Sequence, residues 1–295
     1  MRRGTALTLA GLGALGLGVL GYATLVERVR YTLRRYDVPL LEPDTEPLRV
    51  LQISDLHITP GQRGKQEWVA GLAALDPDLV LLTGDNLADD AAVPAVVDAL
   101  SPLLDRPGAF VFGSNDYYGP VLKNPFTYFN PNSERLLGEE LPWQELRDVL
   151  VDAGWADLNN ARTVLKTVGR IVELVGVDDP HLERDRYDSV AGVVSPEAEV
   201  HLGLTHSPEP WVLDKMAADG FSLLVAGHTH GGQVCVPGYG ALVTNCELDR
   251  RMARGLHRYG PAWLHVSAGL GTSPYAPVRF ACPPEASLLT LIPQS

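Results

Sequence analysis

The sequence predicts an α/β fold behind an apolar amino-terminal anchor, and three features of its 295 residues predict it. A charge-free run occupies 5–26, short apolar β-rich runs alternate with Ala/Leu-rich helical stretches from Leu48 onward, and polar residues gather where those runs stop. With 45% hydrophobic residues the chain can fill a buried core, which excludes disorder as its main state. Acids outnumber bases 36 to 24, and a formal charge of -12 repels a nucleic-acid backbone, so no nucleic-acid partner is expected.

The charge is unevenly spread. Residues 1–36 hold six of the bases and a single acid, Glu27, leaving 18 bases against 35 acids in the remainder. After the basic terminus at 1–4, the 22 uncharged residues from Thr5 to Val26 span roughly 33 Å as a helix, enough to cross a bilayer. A cleaved secretory signal is the competing reading, since Arg2 and Arg3 form a basic start, but the apolar run is longer than a usual signal core and no small-x-small site follows it. The expectation is an uncleaved single-pass anchor in the cell membrane, with residues 27–47 as a basic juxtamembrane and Pro-rich linker. Arg flanks both ends of the run, so the positive-inside rule does not say which side the body faces.

The body is expected at 48–291. Buried strands are predicted at 48–54, 79–83 and 109–112, with helices near 67–75 and 91–104 between them, a βαβαβ beginning. Residues 119–142 are polar, rich in Pro and Asn and without period. They read as an inserted lid whose Phe126, Tyr128 and Phe129 supply an apolar surface. A helix is predicted at 143–153, and further strands at 171–177, 200–205, 223–226, 264–268 and 286–291. Cys235, Cys246 and Cys282 show no paired C-x-x-C spacing, so no thiolate metal site is expected; a Cys235–Cys246 bridge and three free thiols both stay open.

The chemistry sits at the predicted strand ends: Asp55 and His57 after the first, Asp85 after the second, Asn115 and Asp116 after the third, then His206, and then His228 and His230. Open α/β sheets gather ligands at the carboxyl ends of their strands, so these groups can share one crevice. Oxygen and imidazole donors without thiolate suit Mn, Fe, Zn or a similar divalent ion. A lone Asp after a strand is ordinarily a cap, and a lone His a satisfied structural group. Here four of the eight His fall in such motifs beside Gly-rich turns, and that reading fails for the set.

The motifs Asp55-Leu56-His57, Gly84-Asp85-Asn86, Gly113-Ser114-Asn115-Asp116, Thr205-His206-Ser207-Pro208 and Gly227-His228-Thr229-His230 follow the order of the calcineurin-like metallophosphoesterases. Over 48–291 the chain resembles the membrane-associated, YkuE-like bacterial branch of that family. The resemblance implies a four-layer αββα sandwich with mixed β-sheets and two divalent metals at the strand ends. Asp55, His57 and His230 would hold one ion, His206, His228 and Asn115 the other, and Asp85 would bridge them. The implied reaction is metal-dependent hydrolysis of a phosphoester or phosphoanhydride by a shared hydroxide. Its substrate would be a phosphate-containing small molecule or a lipid-linked compound of the envelope, with no obligate protein partner.

The third motif departs from the family pattern, Gly-Asn-His-Asp/Glu. An ungapped match puts Ser114 on the ligand Asn and Asn115 on the leaving-group His, whereas a one-residue shift in the turn makes Asn115 the ligand. The second is preferred because an amide oxygen is the better donor to a divalent ion. Either way the usual His is missing. His181, which follows the strand at 171–177, and His257 are candidates to replace it as acid, with a surface loop residue as the plain alternative for His181. A catalytically weak metal-binding scaffold of the envelope is the competing function.

Overall fold

The computed structural model describes residues 2–122 and 136–294; for residues 2–12 and 15 it describes the backbone alone. Two six-stranded mixed sheets stack face to face. The first has the order β1 (Thr32–Leu41), β14 (Glu285–Pro293), β2 (Leu48–Ile53), β3 (Leu79–Thr83), β4 (Gly108–Val111), β5 (Ala156–Asp157). The second has the order β12 (Gly255–Tyr259), β13 (Ala262–Val266), β9 (Leu223–Ala226), β8 (Val200–Leu204), β7 (Arg170–Gly176), β6 (Ala161–Thr167). A small ribbon of β10 (Cys235–Val236) and β11 (Gly240–Ala241) stands apart.

Core composition gives the layers. Val50, Leu81, Val111, Leu174, Leu202 and Val225 meet between the two sheets. Leu51, Ile53, Leu82 and Phe110 face the opposite way, onto α2 (Arg63–Ala70), α3 (Val93–Leu100) and α5 (Trp143–Asp152). On the far side, Val175, Leu224 and Leu264 pack on α6 (Pro210–Asp219). Strands buried on both faces must be apolar nearly throughout, which is why β3 reads Leu-Val-Leu-Leu before its terminal Thr83 and is wholly buried. The predicted α/β class and the αββα layering are therefore present. The parallel neighbours β2, β3 and β4 end together, as do β8 and β9 in the second sheet.

Three expectations need correcting or completing. Residues 27–47 are not an irregular linker: β1 occupies Thr32–Leu41, pairs in parallel with β14 and buries Val38 and Leu41. Pro39 is tolerated because β1 is an edge strand, where a missing N–H breaks no ladder. The anchor stretch is helical, α1 (Arg2–Leu25), yet among the described residues no helix is long and apolar enough to cross a membrane. Residues 123–135, with the aromatic trio of the expected lid, lie outside the described residues. The neck of that insertion is closed by Gly119 N–H donating to the Glu139 carbonyl (2.8 Å) and Leu141 N–H to that of Tyr117 (2.9 Å).

All three cysteines are free thiols, so the Cys235–Cys246 bridge does not form. Cys235 instead neighbours Cys282, both thiols donating to the Gly231 carbonyl.

A polar pin crosses the dry interface between the sheets. Gln52 on β2 donates through Nε2 to Thr83 Oγ1 (3.0 Å) and to the Ala226 carbonyl (2.9 Å), and its Oε1 meets Nδ1 of His265 on β13 (2.7 Å). Burial lowers the pKa of His265 to about 3. A base whose folded pKa is depressed binds its proton more readily unfolded, so its neutral form supports the fold fully above about pH 6.5, and that support is lost as the pH falls toward 3. Replacing His265→Leu should cost about 1–3 kcal/mol at pH 8, by stranding Gln52 Oε1. It should also flatten part of the decline in urea midpoint between pH 6.5 and 3. Parallel pH curves for variant and wild type would remove His265 as a contributor.

Candidate metal centre

Both sheets deliver their polar strand ends to one crevice. Among the described residues, Asp55, His57, Asp85 and His230 place one ligand atom each within 4.8 Å of one another. His57 Nε2 lies 3.2 Å from His230 Nε2 and 3.5 Å from Asp85 Oδ2, and His230 Nε2 lies 3.5 Å from Asp55 Oδ1. The other oxygen of Asp85, Oδ1, faces His206 Nε2 at 3.4 Å. The His228 ring stands edge-on to His206, with centroids 5.2 Å apart, and turns Nε2 to the Asn245 carbonyl (3.1 Å). Asp85 therefore divides its two oxygens between two imidazole clusters.

The third motif meets the same carboxylate. Asn115 donates its backbone N–H to Asp85 Oδ1 (2.8 Å) and its side-chain amide to Oδ2 (2.7 Å), so Asn115 touches the bridging position. His181 lies in the short turn Pro180–Leu182 after β7, its ring centroid 4.5 Å from that of His228. His257 stands on the edge strand β12 with its ring against the Arg254 carbonyl (2.7 Å). The structure thus gathers Asp55, His57, Asp85, Asn115, His206, His228 and His230, brings His181 alongside, and gives His257 a different neighbourhood.

The local backbone explains the Gly-rich turns. Asp55, His57, Asp85, His228 and His230 all have φ between 40° and 69°, the left-handed region that costs an L residue about 1–2 kcal/mol. Such turns aim the side chains back over the strand ends. Gly84 has φ +87°, and a Cβ there would meet the Gly113 nitrogen at 2.6 Å and His206 Nδ1 at 2.8 Å. A Cβ on Gly113 would overlap Asp85 Oδ1. Side chains at either position would push the two halves of the crevice apart.

Several supporting groups escaped the sequence reading. Asp116 accepts from the backbone N–H groups of Asp85 (2.7 Å), Asn86 (2.8 Å) and Gly113 (2.9 Å), tying the second and third motifs together. Burial, and then the charge of Asp85, raise its pKa to about 6. It stands in the third motif, but nothing in the spacing separates a structural carboxylate from a ligand. Arg279 is fully buried and donates to the carbonyls of Ala268 (2.8 Å), Gly269 (3.1 Å) and Gly271 (2.7 Å), framing the loop that accepts His230 Nδ1 at Gly271. A lone Arg in an irregular stretch carries no such signal. Lys65 Nζ, also buried, donates to the Leu56 carbonyl (2.6 Å), inside the first motif.

The chain's own charges leave this crevice unbalanced. Burial raises Asp55 to about 7 and lowers His57 to about 4. Burial, then the repulsion of His57 and Arg279, holds His230 well below the ordinary imidazole value. Burial pushes the Asp85 carboxyl up, but the charges and hydrogen bonds of His206, His57 and Asn115 outweigh it and hold it well below the carboxylate range. Burial likewise opposes protonation of His206, and the Asp85 charge overrides it.

These residues fit divalent cations. His206 donates Nδ1–H to the Thr83 carbonyl (2.8 Å), which turns the buried Nε2, without a hydrogen-bond partner, toward Asp85 Oδ1, where a cation would take the place of the proton that Asp85 favours. His230 uses the same device, with Nδ1 on the Gly271 carbonyl and Nε2 in the cluster. Fixing one ring nitrogen on a carbonyl to present the other is the usual support for a metal-binding His. The fold and the donor set together define a metal-dependent phosphoesterase.

Comparison with known proteins agrees. Residues 48–232 match the family model described as calcineurin-like phosphoesterase, and the chain belongs to that family. It is 30% identical over 278 residues to "Phosphodiesterase YaeI" of Escherichia coli (strain K12), covering 92% of each chain. It is 24% identical over 300 residues to "Uncharacterized metallophosphoesterase YkuE" of Bacillus subtilis (strain 168), covering 95% of this chain and 94% of that one. Among solved structures, a 5'-nucleotidase precursor from Thermus thermophilus aligns with a TM-score of 0.46 and 12% identity, over 84% of this chain and 54% of that one.

Proposed function

We propose that the protein is a membrane-held, dinuclear phosphodiesterase or pyrophosphatase-like hydrolase whose substrate is lipid-linked or another phosphate compound of the envelope. The observation that carries the dinuclear reading is the division of Asp85, with Oδ2 toward His57 and Oδ1 toward His206. Asp55, His57 and His230 would hold one divalent ion and His206, His228 and Asn115 the other, with Mn, Fe and Zn all compatible with these donors. Ions held there would supply a nucleophile from water near neutral pH and would neutralise phosphate oxygens. The diester preference takes support from the named activity of the Escherichia coli relative, and from the lack of the family's third-motif His.

The chain's own groups have separate tasks. Asn115 orients Asp85 through two hydrogen bonds, and Asp116 fixes the turn that carries it. His181, packed on His228, is the imidazole we assign to protonating the leaving-group oxygen. Asp179 caps its turn by accepting from the His181 N–H (3.0 Å). Membrane attachment takes support from α1, where Leu17 is 72% and Leu25 73% exposed. Apolar side chains so exposed suit lipid surroundings better than water.

Asp85→Asn should lower turnover of bis-p-nitrophenyl phosphate by at least about 10³-fold and reduce bound metal at both positions, read by elemental analysis. Near-normal turnover would remove the mechanism, and two metal equivalents with no turnover on any phosphate in the wild type would favour the scaffold reading.

His181→Ala should cost about 10²- to 10⁴-fold on an alkyl diester, whose leaving group needs a proton, and far less on the p-nitrophenyl ester. Equal losses on both would deny His181 the proton-donor role.

The full chain should stay in the membrane pellet through alkaline carbonate washing; release into the supernatant would sink the attachment.

A further inference from the structure

Beside the half-site of Asp55, His57 and His230 lies a second concavity, of about 480 Å³. It opens between the turn that follows α1, the first turn of α2, and the loop after β13. Arg28, Arg63 and Lys65 line it together with Tyr31, Gly271 and Thr272, and no carboxylate among the described residues does. Glu27, next to Arg28 in sequence, is turned away and buried, its Oε1 accepting from the Cys282 N–H (2.7 Å). Arg28 Nε donates to the Thr24 carbonyl (2.9 Å) and Lys65 Nζ to that of Leu56 (2.6 Å). Carbonyl dipoles satisfy those protons without cancelling the charge. Two guanidiniums lining a cavity, with Lys65 buried beside them and lowered by that burial to about 7, call for an anion, and a guanidinium fork suits phosphate oxygens best.

The groove shares a wall with the metal centre. Gly271 lines it while its carbonyl meets His230 Nδ1 (3.1 Å) and its N–H donates to the Asp55 carbonyl (2.6 Å). Its other rim is the foot of α1. The exposed apolar residues Leu20, Leu25 and Val26 end two positions before Arg28. A ligand whose anionic head meets Arg28 and Arg63 can lay an apolar tail along α1.

We propose that this groove is a binding site for the phosphate headgroup of an anionic amphiphile, placed next to the reacting centre. It deepens the lipid-linked reading of the substrate, although binding there does not itself require hydrolysis. Phosphate could reach the groove on a lipid or on a soluble ester, and the ligands tested separate the two.

The full chain carrying Asp85→Asn, held in neutral detergent, is titrated calorimetrically with dihexanoyl phosphatidylglycerol, dihexanoyl phosphatidylcholine and glycerol phosphate. Saturable binding of the anionic lipid is expected, weakened about tenfold or more by Arg28→Glu or Arg63→Glu, as loss of a charge-assisted contact implies. Far-ultraviolet circular dichroism and a urea midpoint matching those of the wild type in both variants certify the fold. Unchanged affinity in both variants, or equal binding of the zwitterionic lipid, would overturn the site. Glycerol phosphate binding as tightly as the lipid would overturn the amphiphile and give the groove to a soluble phosphate ester. Lipid binding in a chain whose wild type turns over no phosphate would leave this site standing while the catalytic reading falls.

Discussion

The crevice rests on a single carboxylate that serves two clusters at once. Asp85 is buried among His57, His206 and Asn115, and each of its oxygens faces a different group. Two acids and several imidazoles withdrawn from water repel and desolvate one another unless positive charge is shared between them. The opposed shifts show the imbalance: Asp55 is driven up, and His57 and His230 are driven down. Divalent cations resolve it in a way that protons cannot, because one ion satisfies several lone pairs together.

That concentration of polar groups sets demands on the backbone. Five of the crevice residues sit at positive φ, at a cost of about 1–2 kcal/mol each, and such strain persists only where the surroundings over-determine it. Asp116 clamps the Asp85 turn to Gly113, and Arg279 clamps the loop facing Asp55 and His230. Both clamps are buried ions satisfied by backbone groups, an arrangement that holds geometry more than it adds stability. The sheets beneath them supply that stability, through apolar contact on every face.

The amino-terminal segment belongs to this body rather than hanging from it. Glu27 holds the backbone at Cys282, Arg34 reaches Glu285 at 3.4 Å, and β1 adds a strand beside β14. The foot of a helix with exposed leucines is thereby joined to the wall of the crevice. On the membrane-held reading proposed above, the crevice and a lipid-facing surface would share a frame, and a substrate drawn from a bilayer would have a short path to the crevice.

The α/β class, the buried strands and the ordered motifs were readable in the residues themselves, because an apolar run bounded by Gly and Asp has few other uses, and donor types restrict the chemistry; the four-layer stacking followed only from the family resemblance. Asp55, His57, Asp85, His206, His228 and His230 could be named on that ground alone. β1 could not, since its pattern carries Arg34, Arg35, Asp37 and Pro39 and becomes a strand only by borrowing the edge of β14. Nor could the tasks of Asp116 and Arg279, whose partners are backbone groups of distant turns, or the meeting of His181 with His228 across two strand ends. Sequence order records which side chains a chain owns; which carbonyl or ring each one faces depends on how the two sheets stack, and no local spacing encodes that.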